Sequence, residues 1–218
     1  MPALCGNAFA ATATVWEGSR GTRACTVCLT GNRYDFIDLE VFCMTYTIVY
    51  CSRTGNTKLL ADGIRSVLPA ETCVYFGPVS GAEREVAQAD VVFAGFWTDK
   101  GSCDEEMAGF LRGIVGKDVF LFGTAGFGGS GEYFSRIMGN VGKYLDESCH
   151  LAGTFMCQGQ MPPAVRKRYE GMVGAGGDVC KVREMIENYD RALGHPNEAD
   201  VERVKREVRR VADGWGEE

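Results

Sequence analysis

The chain has 218 residues, 45% of them hydrophobic and 24% charged, which suits one globular domain with a few additional elements. Its 29 acidic and 23 basic residues leave a net charge of -6, which disfavours non-specific attraction to nucleic acid or to an anionic membrane, so neither is expected as a partner. No apolar run approaches the roughly 20 residues that a membrane-spanning helix requires.

Residues 1–43 lack any sustained helical or alternating apolar period and are rich in Ala, Gly and Thr, so a poorly structured extension is expected there, with Met44 as the physiological start. The isolated Cys25-Thr26-Val27-Cys28 has no second pair and no strand-helix context, and reads as two coincidental cysteines. The chain holds 10 cysteines; those such as Cys51, Cys73 and Cys157 lie inside apolar stretches without an even framework, which suits a reducing cytoplasm. The 2 histidines, His150 and His195, are far apart and give histidine-based metal chemistry little to build on.

After Met44, short apolar runs alternate with longer segments of helical period, the signature of a parallel sheet with helices on both faces. The first strand is expected over Tyr46–Cys51. A helix follows, with Leu60, Ile64, Val67 and Leu68 on one face and Pro69 as its stop. Glu71–Phe76 is the second strand, ended by Gly77-Pro78. Val91–Phe96 and Val119–Phe122 are continuous apolar runs of the kind buried on both sides at a sheet's centre. Between them Met107, Phe110, Leu111 and Ile114 mark a helix. Another is marked by Tyr133, Phe134, Ile137, Met138, Val141 and Leu145, and a fifth strand runs from Leu151 to Cys157. A helix over 163–172, a Gly-rich break at 174–177 and helices over 182–193 and 197–212 complete the chain. The last has Val201, Val204, Val208 and Val211 on its apolar side. This gives an extension at 1–43, an α/β domain at 44–174 and a helical extension at 175–218.

In open α/β sheets ligands bind outside the carboxyl ends of the strands, so the loops there carry the chemistry. After the first strand, Ser52-Arg53-Thr54-Gly55-Asn56-Thr57 sets hydroxyls and an amide around one glycine and opens into a helix. Backbone N–H groups, hydroxyls and a helix N-terminus can wrap a phosphate without a lysine. The absence of Gly-Lys-Ser/Thr removes the cradle for a nucleoside triphosphate, and a monophosphate fits better. After the third strand, Phe96-Trp97-Thr98-Asp99-Lys100-Gly101 offers Trp97 for stacking on a flat ring, with Phe96 turned into the core by strand alternation. After the fourth, Thr124-Ala125-Gly126-Phe127-Gly128-Gly129-Ser130-Gly131 contains a formal G-x-G-x-x-G, but the next strand ends in Cys157-Gln158 without the acid that a Rossmann ribose site wants.

These residues resemble the flavodoxin family, whose phosphate loop reads Ser/Thr-x-Thr-Gly-Asn-Thr. The resemblance covers about residues 44–160. It implies a flavodoxin-like three-layer sandwich with a five-stranded parallel sheet in the order 2-1-3-4-5, and FMN as cofactor. It further implies that Ser52, Thr54, Asn56 and Thr57 bond the phosphate through side chains and Arg53 and Gly55 through backbone N–H. Phe96, Trp97, Thr98, Asp99 and Gly101 would form one ring-binding loop. Thr124, Ala125, Gly126, Phe127, Gly128 and Gly129 would form the second, with Phe127 a further stacking partner. The wording of residues 95–101, 123–130 and 157–163 is similar to a narrower group of flavodoxin-like proteins from anaerobic gut bacteria that accompany bilirubin reductase.

The expected function is therefore cytoplasmic electron transfer to a redox partner protein, with bilirubin reductase the partner that the narrower resemblance implies; no oligomeric state is set. Asp99, Asp104, Glu105 and Glu106 follow the Trp97 loop, and negative charge there favours a low potential. Two alternatives stand beside it. Arg166-Lys167-Arg168 suits an NAD(P)H-dependent FMN or quinone reductase, and the third possibility is a non-redox accessory partner of a reductase.

Overall fold

The computed structural model describes residues 44–174 and 178–216. In chain order it contains β1 (Tyr46–Tyr50), α1 (Asn56–Arg65), β2 (Cys73–Pro78), α2 (Glu83–Gln88), β3 (Val91–Asp99), β4 (Ser102–Cys103), α3 (Glu105–Arg112), β5 (Asp118–Ala125), α4 (Gly131–Gly142), β6 (His150–Gln158), α5 (Pro163–Gly174), α6 (Val179–Ala192) and α7 (Glu198–Asp213). The parallel strands run in the order β2-β1-β3-β5-β6, the arrangement expected from the sequence. The flavodoxin-like sheet gains a sixth strand: β4 folds back antiparallel on the end of β3 through Thr98↔Cys103 and Asp99↔Ser102. Two residues are too short to show a period, and the turn between the strands is made by Lys100 (φ 46°) and Gly101 (φ 83°).

Strand alternation divides the core into two faces. Val49, Val92, Ala94, Phe96, Val119 and Leu121 pack on the side of α2, α3 and α4, together with Val86, Met107, Leu111, Ile137 and Val141. Tyr46, Ile48, Val91, Phe93, Phe120, Phe122 and Phe155 pack on the other side against Leu60 and Ile64 of α1 and Val204 and Val208 of α7. Phe96 is fully buried, as alternation requires. The paired central strands also interlock. Gly95 stands beside Phe122 and Gly123 beside Phe96 in register. A Cβ on Gly95 would lie 2.3 Å from the Phe122 ring, and one on Gly123 would lie 2.7 Å from the Phe96 ring. Each glycine makes room for its neighbour's ring, one on each face, so these glycines are packing residues rather than turn residues.

Three boundaries differ from the sequence expectation for local reasons. Helix α1 ends at Arg65, well before Pro69, because Ser66 turns its N–H to the carbonyls of Asp62 and Gly63 and its hydroxyl to Gly63, the last at 2.6 Å. Glu71 and Thr72 lie in a 3₁₀ turn over Ala70–Thr72, and β2 starts only at Cys73. Gly77-Pro78 ends β2 as its last two paired residues and does not merely follow it, which is possible because that strand lies at the sheet edge, where a missing N–H disturbs no outer neighbour. The six-residue α2 had no sequence signal long enough to register.

Within the segment 175–218, α7 lies against α1 and β6 and places Val204 and Val208 in the core. Gly63 permits this approach: a Cβ there would meet Val201 Cγ1 at 2.8 Å. Helices α5 and α6 pack on each other around Tyr169, Val182 and Tyr189. Among the described residues no helix is long and apolar enough to cross a membrane. Residues 1–43, including Cys25 and Cys28, lie outside the described residues.

Candidate functional site

Because the main strands are parallel, their carboxyl ends share one sheet edge. The register Trp97↔Thr124 and Thr124↔Cys157 brings the expected loops together there. The first loop is built from its own residues. Gly55 takes the left-handed conformation (φ 86°) that turns the chain from β1 into α1. Leu59 N–H donates to the Gly55 carbonyl at 2.9 Å and Lys58 N–H to Ser52 Oγ at 3.2 Å, so the helix start is capped from within the loop. Among the described residues, the N–H groups of Asn56 and Thr57 meet no protein acceptor. A helix N-terminus with free donors and a partial positive charge suits an anion. Arg53, Thr54 and Gly55 are exposed, and a Cβ on Gly55 would meet nothing within 4 Å.

The side chains of this loop divide into two groups. Ser52 and Thr54 remain accessible. The Asn56 amide instead donates to the Gln160 carbonyl at 3.0 Å, and the buried Thr57 hydroxyl lies 3.3 Å from that of Thr124. These two fasten the loop to the β6 and β5 ends, so an anion here would draw on backbone donors and on Ser52 and Thr54 more than on Asn56 and Thr57.

Beside the loop, a cleft of about 350 Å³ is lined by Tyr50, Cys51, Ser52, Arg53, Pro78, Ser80, Trp97 and Glu106. Trp97 is half-buried at the end of β3, while the Arg53 guanidinium lies 5.4 Å from its ring centroid. Arg53 was expected to contribute backbone alone; its side chain also covers the indole, a cation–π contact worth about 0.5–1 kcal/mol at an exposed site. Among the described residues Arg53 forms no ion pair, so no carboxylate holds it there. Of the four acids expected near the ring, Glu106 alone lines the cleft. Asp104 caps α3 by accepting from Met107 N–H at 3.2 Å, and Glu105 pairs with Arg112. Burial, and then the charges of Asp104 and Glu106, push the Cys51 thiol well above its ordinary range, leaving it neutral and inert.

The loop between β5 and α4 is built from a distance. Gly128 (φ 94°) and Gly129 (φ 111°) are left-handed, and a Cβ on Gly128 would fall 2.2 Å from Tyr133 Cδ1. Asn188 of α6, only 2% exposed, accepts from Gly128 N–H at 3.0 Å and donates to the Gly126 carbonyl at 2.9 Å. Gln158 adds a donor to the Gly128 carbonyl at 3.2 Å. Phe127 remains 46% exposed, edge-on to Tyr133. Thr124 and Ala125 are buried at the strand end, and Thr98 and Asp99 are engaged in the β3–β4 pairing. Gln158 ends β6 and Gln160 lies in the loop after it, at the sheet end where the sequence places them, while Asn188 escaped the sequence reading because an amide within a helix carries no spacing signal of its own.

Two other residues stand apart. Arg166 pairs with Glu170 and Asp190 and lies over Tyr189, so it fixes α5 to α6 and offers no free guanidinium to a nucleotide phosphate. Cys157, read from the sequence as lying in an apolar stretch, is 1% exposed, and burial, followed by the charge of Asp200, drives its thiol pKa upward against the opposing charge of Arg203.

A family profile described as "Flavodoxin domain" matches residues 47–209, and the chain belongs to that family. A protein from Clostridium symbiosum named flavodoxin-like domain-containing protein BilS is 40% identical over 172 residues, covering 72% of this chain and 90% of its own. A namesake from Clostridioides difficile is 28% identical over 159 residues, with the same two coverages, 72% and 90%. Among solved structures, flavodoxin 2 from Bacillus cereus is 18% identical with a TM-score of 0.47, covering 78% of this chain and 99% of its own.

Proposed function

We propose that this chain is a cytoplasmic, FMN-binding electron carrier that supplies a partner reductase, with bilirubin reductase as that partner. The observation that supports this most is the juxtaposition of the Ser52–Thr57 loop, whose first helical N–H groups lack acceptors, with a cleft walled by Trp97. The residues fit the group: the donors suit a phosphate monoester and the cleft lies within the usual size range of ligand sites. Membership of the flavodoxin family supports the cofactor. Identity of 40% to BilS, with the resemblance drawn from residues 95–101, 123–130 and 157–163, supports the partner.

FMN supplies the one- and two-electron chemistry when bound. The chain's own residues do the rest. Backbone N–H groups of the first loop, with Ser52 and Thr54, bind the phosphate; Trp97 orients the ring once Arg53 moves off its face; and the loop from Gly126 to Gly129 brings backbone to the ring edge. Glu106 holds negative charge in the cleft, which lowers the potential by disfavouring added electron density. Arg166 of the basic cluster on α5 is already paired, which takes one of its three cations from the turnover reading.

The full chain purified anaerobically should be yellow, or become so with added FMN, and should not bleach with NADH or NADPH alone until a reductase is present. A colourless protein that takes up no FMN contradicts the proposal. Rapid bleaching by NADPH alone replaces it with the turnover enzyme.

A further inference from the structure

The loop between β5 and α4 carries two adjacent left-handed glycines, a conformation with few local supports. Its backbone is instead bound by two remote side chains, Gln158 at one carbonyl and Asn188 at two points. Asn188 satisfies both ends of the Gly126–Gly128 segment, accepting from one N–H and donating to one carbonyl across a separation of about 60 residues. Asn188 is itself 2% exposed, and its bonds to the half-buried glycines are partly shielded from water.

Helix α6 is in turn held in place. Tyr189, next to Asn188, is 5% exposed in the small core it shares with Tyr169 and Val182, with Met161 and Met185 packed alongside. Arg166 of α5 pairs with Asp190, the residue after Tyr189. Met161 also reaches the loop, since a Cβ on Gly126 would fall 2.3 Å from Met161 Cγ. The α5–α6 pair thus presents a rigid amide to a loop that needs one.

We infer that Asn188 is a positioning residue for the flavin ring: the helical segment after the sheet fixes the backbone against which the ring edge lies. This rests on the flavin reading above. An asparagine is the residue type the task requires, because only a side-chain amide offers one acceptor and two donors from a single planar group. Aspartate at this position would keep the acceptor for Gly128 N–H and lose the donor to Gly126, while alanine loses both.

The test uses the full chain and titrates FMN and riboflavin into wild type, Asn188→Ala, Asn188→Asp and Thr54→Ala. Asn188→Ala is expected to weaken FMN and riboflavin by the same factor, about tenfold to hundredfold for two lost buried hydrogen bonds. Thr54→Ala, on the phosphate side, should weaken FMN alone. Asn188→Asp should fall between wild type and Asn188→Ala. The absorption band of the remaining bound flavin should shift in Asn188→Ala, and amide exchange should rise over residues 126–129 with the thermal midpoint of the rest of the fold retained. If wild type binds FMN and Asn188→Ala binds both ligands equally well with an unchanged spectrum, the inference is overturned and the flavin reading stands. If wild type itself takes up no FMN, the flavin reading falls and this inference falls with it. Should Asn188→Ala fail to fold, equal binding and an unchanged spectrum in Asn188→Asp overturn the inference in the same way.

Discussion

Two loops at one sheet edge are held by opposite means. The loop from Ser52 to Thr57 caps its own helix, turns at a glycine with open space around it, and leaves the Asn56 and Thr57 N–H groups without an acceptor among the described residues. The loop from Gly126 to Gly129 turns at glycines hemmed in by Tyr133 and Gln158, and takes its hydrogen bonds from Asn188 and Gln158. A loop that caps its own helix, and is tied to its neighbours through Asn56 and Thr57 at its helical end, can keep its geometry while a ligand comes and goes. A loop held from outside is only as well placed as its support.

The largest effect expected from this contrast is at Gly128. Gly128→Ala forces a left-handed alanine into the Tyr133 ring and should cost about 2–4 kcal/mol, the sum of backbone strain and overpacking. Urea unfolding measures it, and a change below about 1 kcal/mol would show that the second loop is looser than described. Next is Trp97→Ala. Loss of a stacking surface is worth about 1–3 kcal/mol, so FMN affinity should fall about tenfold to hundredfold in a fluorescence or absorbance titration. Unaltered affinity would remove Trp97 from the site.

Gly55→Ala should be milder than Gly128→Ala. No atom lies within 4 Å of its new Cβ, so only the left-handed backbone cost of about 1–2 kcal/mol applies. Equal losses at Gly55 and Gly128 would erase the distinction between the loops.

The smallest effect tests whether the first loop is as self-contained as it looks. Asn56 donates to the Gln160 carbonyl, Gln160 N–H donates to the His195 carbonyl at 2.6 Å, and His195 Nδ1 lies 2.5 Å from Asp200 Oδ2. Burial alone would raise the Asp200 pKa, but hydrogen bonds from Asn197 N–H, His195 and Arg203 outweigh it and hold this carboxyl below its ordinary range. A depressed carboxylate stabilises the fold fully above its unfolded value and loses that contribution as pH falls through the folded one. Thermal midpoints should therefore drop as pH falls below the ordinary aspartate value of 3.8, and Asp200→Asn should flatten that limb. A limb equally steep in the variant would detach this network from acid stability.

The same contrast explains what the sequence made legible. The strands and the first loop could be read because apolar runs and Ser-x-Thr-Gly-Asn-Thr are contiguous signals; the strand order came only as what the flavodoxin resemblance implies. Val204 and Val208 stood out by helical spacing, but not the fact that α7 packs on α1 through Gly63. Asn188 gave no signal: its role depends on a contact with Gly126 and Gly128 that only the folded chain creates. The Arg53 side chain over Trp97 escaped for the same reason, being a contact between neighbouring loops and not a motif. Strand β4 and helix α2 escaped because they are shorter than the period that would reveal them.

Calorimetric titration of the flavin-free full chain with FMN and, in parallel, with riboflavin tests the central claim most directly. The account predicts heat at micromolar FMN, quenching of Trp97 fluorescence, and riboflavin binding at least about tenfold weaker, since a phosphate held by charge-assisted hydrogen bonds contributes more than about 1.4 kcal/mol. No heat with FMN, or equal affinity for the two flavins, would contradict it.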